Sequence, residues 1–255
     1  MTVVKPRKKR PTKKPAAKAT KTQRTLVALV LDTSGSMSEM REQAIGLFNQ
    51  QRDAIVDGAK KAGKTELGLV LFGESSLLDH AIVRVVHELT EPTKIPLLSK
   101  KSYVPQGWTP MRDGIGRAIA MLEQADDGKA DTALLVVVVT DGMENASKEY
   151  TAAALSAKVT ALQKTGRWTF DLYGCSDLDL AALKEEAGLG SVPAGNFGTY
   201  ARGAAGMEQG AVMACASMDS YMGVRERGLT MMSSFAAPQP DDLEARLAKF
   251  KAGKA

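Results

Sequence analysis

Asp32, Ser34 and Ser36 stand at alternate positions in the stretch Leu31-Asp32-Thr33-Ser34-Gly35-Ser36-Met37-Ser38. They are three oxygen donors on a short turn directly after an apolar run. A turn that tight can aim all three at one point, and oxygen donors of this kind suit a small, hard cation such as Mg²⁺ or Mn²⁺. Asp141 follows a second apolar run, 132–140, in the same kind of position. Between the two, Gly107-Trp108-Thr109-Pro110 opens a helical pattern and offers the Thr109 hydroxyl. The candidate metal set is therefore Asp32, Ser34, Ser36, Thr109 and Asp141.

Each of these residues also has a local structural reading. Ser36 with Glu39 fits a capping box at a helix start. Thr109 before Pro110 fits an N-cap, and Asp141-Gly142 fits a turn. Taken one at a time, either reading accounts for the residue. Taken together, three strand-end coincidences in one chain favour the metal.

The elements that must position these residues read as an α/β protein. Residues 25–31 form a nearly continuous apolar strand, as expected of a strand buried on both faces. A long helix is expected over 37–62, with Gly63 as its C-cap. A strand at 66–72 and a more exposed edge strand at 81–89 follow, the latter paired antiparallel. A proline-bearing loop spans 90–107 and a helix 110–124. TALLVVVVT at 132–140 is the clearest central strand. Helices are expected at 148–164, 178–187 and 203–221, and strands at 168–173 and 195–199. Strands alternating with helices imply a doubly wound, mostly parallel, Rossmann-like sheet with one antiparallel edge strand and helices on both faces. In such sheets, ligands bind beyond the carboxyl ends of the strands, where strand order reverses. If the first and central strands are neighbours, Asp32 and Asp141 converge.

The pattern resembles the von Willebrand factor type A (VWA) domain. DTSGS matches that family's Asp-x-Ser-x-Ser element, Thr109 its lone threonine and Asp141-Gly142 its second aspartate. YVPQGWTPMRDGIGRAI, TDGMENASKEYT and DLYGC further resemble a bacterial and phage-encoded subgroup of intracellular type and undefined function. The resemblance covers about 25–221. It implies a metal-ion-dependent adhesion site. Ser34, Ser36 and Thr109 would then bind the cation directly or through water, and Asp32 and Asp141 would act mostly through water and by hydrogen-bonding the hydroxyls. It also implies a partner protein that presents Asp or Glu to the metal. Few direct carboxylates leave such a metal electrophilic, which suits docking of an acid rather than bond-making.

An enzyme reading fares worse. Asp32 after a strand has the look of an aspartate-nucleophile phosphotransferase, but the acid those enzymes want two residues on is here Ser34. Neither histidine, His80 or His87, is expected near the sheet's carboxyl edge to serve as a base. Cys175, at a strand end, reads as packing. The late methionines, from Met207 to Met232, read mostly as core. Trp108 reads as part of the rim facing a ligand.

Composition sets the remaining bounds. The chain of 255 residues is 44% hydrophobic but only 5% aromatic, so aliphatic side chains should fill one core. Its net charge of +5 is unevenly placed. Residues 1–24 hold ten Lys or Arg and no acid, leaving 24 basic and 29 acidic residues, a net of −5, in 25–255. The 1–24 segment reads as a disordered basic tail. It is either a solubilising linker or an arm for nucleic acid or another polyanion, with the 25–222 body as a protein-interaction platform. PRKKRP within it resembles a nuclear import signal. There is no apolar core for a secretory signal, and no run long enough to span a membrane. Two cysteines do not make a disulfide framework. A cytoplasmic protein, nucleoid-associated if the tail binds nucleic acid, is expected. Residues 223–255 form an extension with one short amphipathic helix, in which Leu243, Leu247 and Phe250 share a face that docks on the body or on a partner.

Overall fold

The computed structural model describes residues 23–75, 81–235 and 243–252. Among the described residues six strands form one sheet: β1 (Arg24–Asp32), β2 (Lys64–Ser75), β3 (Ala81–Thr90), β4 (Thr132–Val139), β5 (Trp168–Cys175) and β6 (Phe197–Tyr200). Their spatial order is β3-β2-β1-β4-β5-β6. Only β3 runs antiparallel, against β2. The helices are α1 (Arg41–Ala62), α2 (Met111–Ala125), α3 (Ala152–Gln163), α4 (Leu180–Glu186), α5 (Ala204–Glu226) and α6 (Leu243–Ala252). No helix among the described residues is long and apolar enough to cross a membrane.

Alternation along β1 explains the two layers. Val27, Leu29 and Leu31 point to one side and join Phe48 and Ile55 of α1 with Met207 and Met218 of α5. Leu26, Ala28 and Val30 point to the other and join Ile115 and Ile119 of α2, Leu155 and Val159 of α3 and Leu183 of α4. Both faces are covered, so β1 and β4 carry nearly unbroken apolar runs. α6 lays Leu243, Leu247 and the fully buried Phe250 on the α1/α5 side, with Arg246 paired to Asp219 at 2.9 Å. The amphipathic extension thus docks on the body.

Several boundaries differ from expectation for physical reasons. The segment expected to open the first helix, Gly35–Met40, is a 3₁₀ turn, and α1 begins only at Arg41. The expected helix at 148–164 starts at Ala152: Thr151, in extended conformation, is its N-cap and accepts from the Ala154 N–H, and the N–H groups of Lys148, Glu149 and Tyr150 before it donate to the Asp113 carboxylate. Asp179 caps α4, which is shorter than the expected 178–187. The closing helix runs on to Glu226, past the expected 221.

Arg24, counted with the basic segment, opens β1. Its guanidinium pairs with Glu66 at 2.6 Å and donates to the carbonyl of Ala125, while the carbonyl of Gln23 accepts from Lys64. The rest of that segment, 1–22, lies outside the described residues. A truncation ending at residue 22 keeps these contacts. Extending it to 24 removes them and is expected to cost about 1–2 kcal/mol more, read as a lower melting temperature than that of the shorter deletion. Equal melting temperatures would show that Gln23 and Arg24 hold nothing.

Candidate functional site

β1 and β4 are parallel neighbours with Leu31 opposite Val139, so Asp32 and Asp141 leave the sheet side by side. β2 lies on the far side of β1 from β4, which makes this the point where strand order reverses.

Asp32 is buried and held on both carboxylate oxygens. Oδ1 accepts from the Ser34 N–H at 2.6 Å, and Oδ2 accepts from the Thr140 hydroxyl at 2.6 Å. The Tyr103 hydroxyl donates to its backbone carbonyl. The next residue clips the turn to β2: the Thr33 N–H and hydroxyl both donate to the Phe72 carbonyl, at 2.6 and 2.9 Å. Gly73, at φ +122°, makes room for this. A Cβ there would stand 2.4 Å from the Ser34 nitrogen, a distance no side chain tolerates.

The hydroxyls then chain to the second aspartate. Ser34 Oγ and Ser36 Oγ are 3.1 Å apart, and the Ser36 hydroxyl donates to Asp141 Oδ1 at 2.7 Å. Ser36 therefore makes no capping box. Thr109 Oγ1 and Ser36 Oγ lie 3.5 and 3.9 Å from the point where a Cβ on Gly142 would stand, so both border one small space that the missing side chain leaves open. Thr109 is not a helix cap either, since Pro110 holds that position without a side-chain bond. It is fixed by Asn145, whose Oδ1 accepts from the Thr109 N–H at 2.7 Å and whose N–H donates to the Thr109 carbonyl at 3.2 Å. The five residues singled out in the sequence are thus gathered at one sheet edge. Asp32, Ser34, Ser36 and Asp141 are linked by hydrogen bonds, and Thr109 faces the same space.

Other residues hold this constellation without local sequence signals. Glu144 accepts from the N–H groups of Arg112, Ala146 and Ser147, and Asp113 from those of Lys148, Glu149 and Tyr150. These two carboxylates, at a loop and a helix start, staple the loop after β4 to α2. Gln106 and Gly107 bond the turn after β1 through Thr33 and Gly35. The Tyr200 hydroxyl donates to the Thr140 carbonyl at 2.8 Å from below. Arg202, two residues beyond the end of β6, reaches Asp141: Nη1 donates to Oδ2 at 3.0 Å and Nη2 to the backbone carbonyl at 2.8 Å. The one signal for Arg202 is its place at a strand's carboxyl end, the rule already applied to Asp32 and Asp141.

Electrostatics follow burial. Loss of solvent raises the Asp32 carboxyl to about 7, against the lowering effect of the Thr140 and Ser34 bonds, and raises that of Asp141 also. Cys175 is buried under the site, and desolvation pushes its thiol up to about 11, so it is no thiolate nucleophile. Cys215 is likewise buried. His87 is half-buried on β3, and His80 lies outside the described residues. Trp108 is 57% exposed and Val104 39%, and both stand in the loop that carries Thr109. Trp108 is therefore at the rim.

Chemically this is a hard-donor site. Among the described residues no group of three or more His, Cys, Asp or Glu could hold a metal, and the donors gathered here are two carboxylates and three hydroxyls. Two hydroxyl oxygens 3.1 Å apart are slightly wider than the edge of about 2.8–3.0 Å of an octahedron with metal–oxygen bonds of about 2.0–2.1 Å, so a small inward shift would let both reach one ion. The residues present fit Mg²⁺ or Mn²⁺.

A doubly wound, mostly parallel sheet with carboxylates and hydroxyls gathered at its reversal point defines an open α/β class. Within that class the chain belongs to the von Willebrand factor type A domain family, whose model matches residues 27–188. Solved structures share the fold. The vWF domain of the type V pili tip protein Mfa5 from Porphyromonas gingivalis is 12% identical, with a TM-score of 0.51, over 82% of this chain and 97% of that one. The pilus adhesin SpaC from Lactobacillus rhamnosus GG is 14% identical, with a TM-score of 0.51, over 80% of this chain but 30% of that one. The PilB minor pilin from Streptococcus sanguinis is 12% identical, with a TM-score of 0.50, over 83% and 64%. A search among curated proteins returned no match.

Proposed function

We propose that this VWA domain is a metal-dependent protein-binding module that docks an acidic residue of a partner through Mg²⁺ or Mn²⁺. The observation that carries the reading is the hydroxyl pair Ser34–Ser36, 3.1 Å apart and tied to Asp141, with Thr109 facing the same space. Ser34, Ser36 and Thr109 would hold the cation, Asp141 would orient the Ser36 hydroxyl, and Asp32 would hold the turn through the Ser34 N–H and act on the ion mostly through water. The bound ion supplies a Lewis-acidic coordination position for an outside carboxylate oxygen. Trp108 and Val104 add apolar contact beside it, in keeping with aromatic anchors at protein interfaces. The role proposed is binding rather than catalysis, since the gathered hydroxyls are spent on one another and on Asp141 and the nearby thiol is held protonated.

The test is thermal. A ligand bound only by the folded state stabilises it by about 2.7 kcal/mol at a hundredfold excess over its dissociation constant. Mg²⁺ or Mn²⁺ is expected to raise the wild-type melting temperature and to leave that of Asp32→Ala unmoved. Equal responses from the two proteins would overturn the metal reading. Affinity capture with and without EDTA, with Asp32→Ala as control, then identifies the acidic partner.

A further inference from the structure

Arg202 places a permanent positive charge against the second aspartate of the site. The two oxygens of Asp141 are divided between neighbours: Oδ1 accepts from Ser36, on the hydroxyl side, and Oδ2 accepts from Arg202 Nη1 at 3.0 Å. The guanidinium does not stand where the hydroxyls converge. It takes the oxygen turned away from them and also holds the Asp141 carbonyl through Nη2 at 2.8 Å. To do so it crosses the end of β5, since β6 is two strands from β4, a span of roughly 10 Å at ordinary strand spacing. On the way its Nε meets Asp177, in the loop after β5, at 2.7 Å, and Nη2 meets the same carboxylate at 3.3 Å. Asp177 and Arg202 are both well exposed, whereas Asp141 is buried.

We infer that Arg202 is a positioning residue that sets how tightly the site holds a divalent cation. It neutralises Asp141 from the outward side and keeps Oδ1 on the hydroxyls. This inference rests on the metal reading above. Of the two carboxylate charges that would draw a cation in, one is largely cancelled by a fixed guanidinium. The domain therefore binds its ion more loosely than the five donor residues alone would, and keeps that ion more electron-poor toward an incoming carboxylate. Asp177 acts in the opposite sense. It shares the guanidinium and draws part of its charge away from Asp141.

A mere clamp between loops would act through shape alone, so any weakening of it would disturb the site in one direction. A charge device gives opposite signs for its two partners. The probe is Mn²⁺, titrated against the full chain at low salt, with free ion counted by electron paramagnetic resonance. Arg202→Gln is expected to tighten the dissociation constant about tenfold, or 1.4 kcal/mol. Arg202→Lys keeps the charge and is expected to stay within about twofold of wild type. Asp177→Asn is expected to weaken binding severalfold. Raising the salt should shrink the Asp177→Asn effect, since that carboxylate is exposed. Wild type that binds Mn²⁺ while Arg202→Gln is unchanged or weaker overturns the inference and spares the metal reading. Wild type that binds no Mn²⁺ overturns both. Should Arg202→Gln melt early without metal, Asp177→Asn decides alone, and an unchanged or tighter constant there overturns the inference.

Discussion

Replacing Arg225 with methionine is expected to lower the unfolding free energy by about 3 kcal/mol or more, a large share of the ~5–15 kcal/mol of a typical domain. Arg225 stands in the last turn of α5 and is fully buried. Its guanidinium donates to the Thr25 hydroxyl at 2.9 Å and to the carbonyls of Leu229, Arg24 and Asp131. No carboxylate shares it among these contacts. It is a buried cation solvated by neutral oxygens, and desolvation draws its pKa down. Methionine fills most of the space but leaves three carbonyls and a hydroxyl without that donor. Arg225→Lys keeps the charge and cannot reach all four, so it should fall between. Urea denaturation measures the loss, and a change under about 1 kcal/mol would show that the bonds are replaced by water at little cost.

Asp171 gives the opposite sign. It lies in the middle of β5, opposite Val137, fully buried, and neither carboxylate oxygen has a hydrogen-bond partner among the described residues. Burial raises its pKa well above the ordinary carboxyl range. The folded state therefore favours the neutral acid. The stability this confers is fully present below about pH 4, the unfolded value, and is lost as pH rises toward the folded value. Asp171→Asn carries no such burden. The two proteins should be similar in stability near pH 4, and the variant should gain about 1.4 kcal/mol for each pH unit above that until the folded pKa is reached. At pH 7 the variant should therefore be the more stable of the two. Parallel stability curves between pH 4 and 7 would mean that Asp171 titrates as it does in the unfolded chain.

These two residues also show where sequence reading stops. TALLVVVV was legible as a central strand because burial on both faces leaves a continuous apolar signature. The five candidate ligands were legible because strand ends and short hydroxyl-rich turns are local features. Arg225 and Asp171 were not, since their meaning depends on what α5 and β5 pack against. The helix expected from Lys148 fails for the same reason. Its first N–H groups are taken by Asp113, 35 residues earlier, and no local pattern announces that. Arg202 was hidden because its partner is 61 residues away, across another strand. For Arg225, Arg202 and the stretch from Lys148 a hydrogen bond distant in sequence assigned the residues their role, and for Asp171 burial within β5 did so.

The use of Glu144 and Asp113 on backbone N–H groups has a consequence for recognition. Those acids give up contact with any ligand in order to hold the loop from Asp141 to Thr151 against α2. The loop is thereby set during folding, and nothing in it waits for a partner to order it. Association at this face should be governed by encounter and orientation, not by the slower closing of a loop, and selectivity must come from the shape already presented.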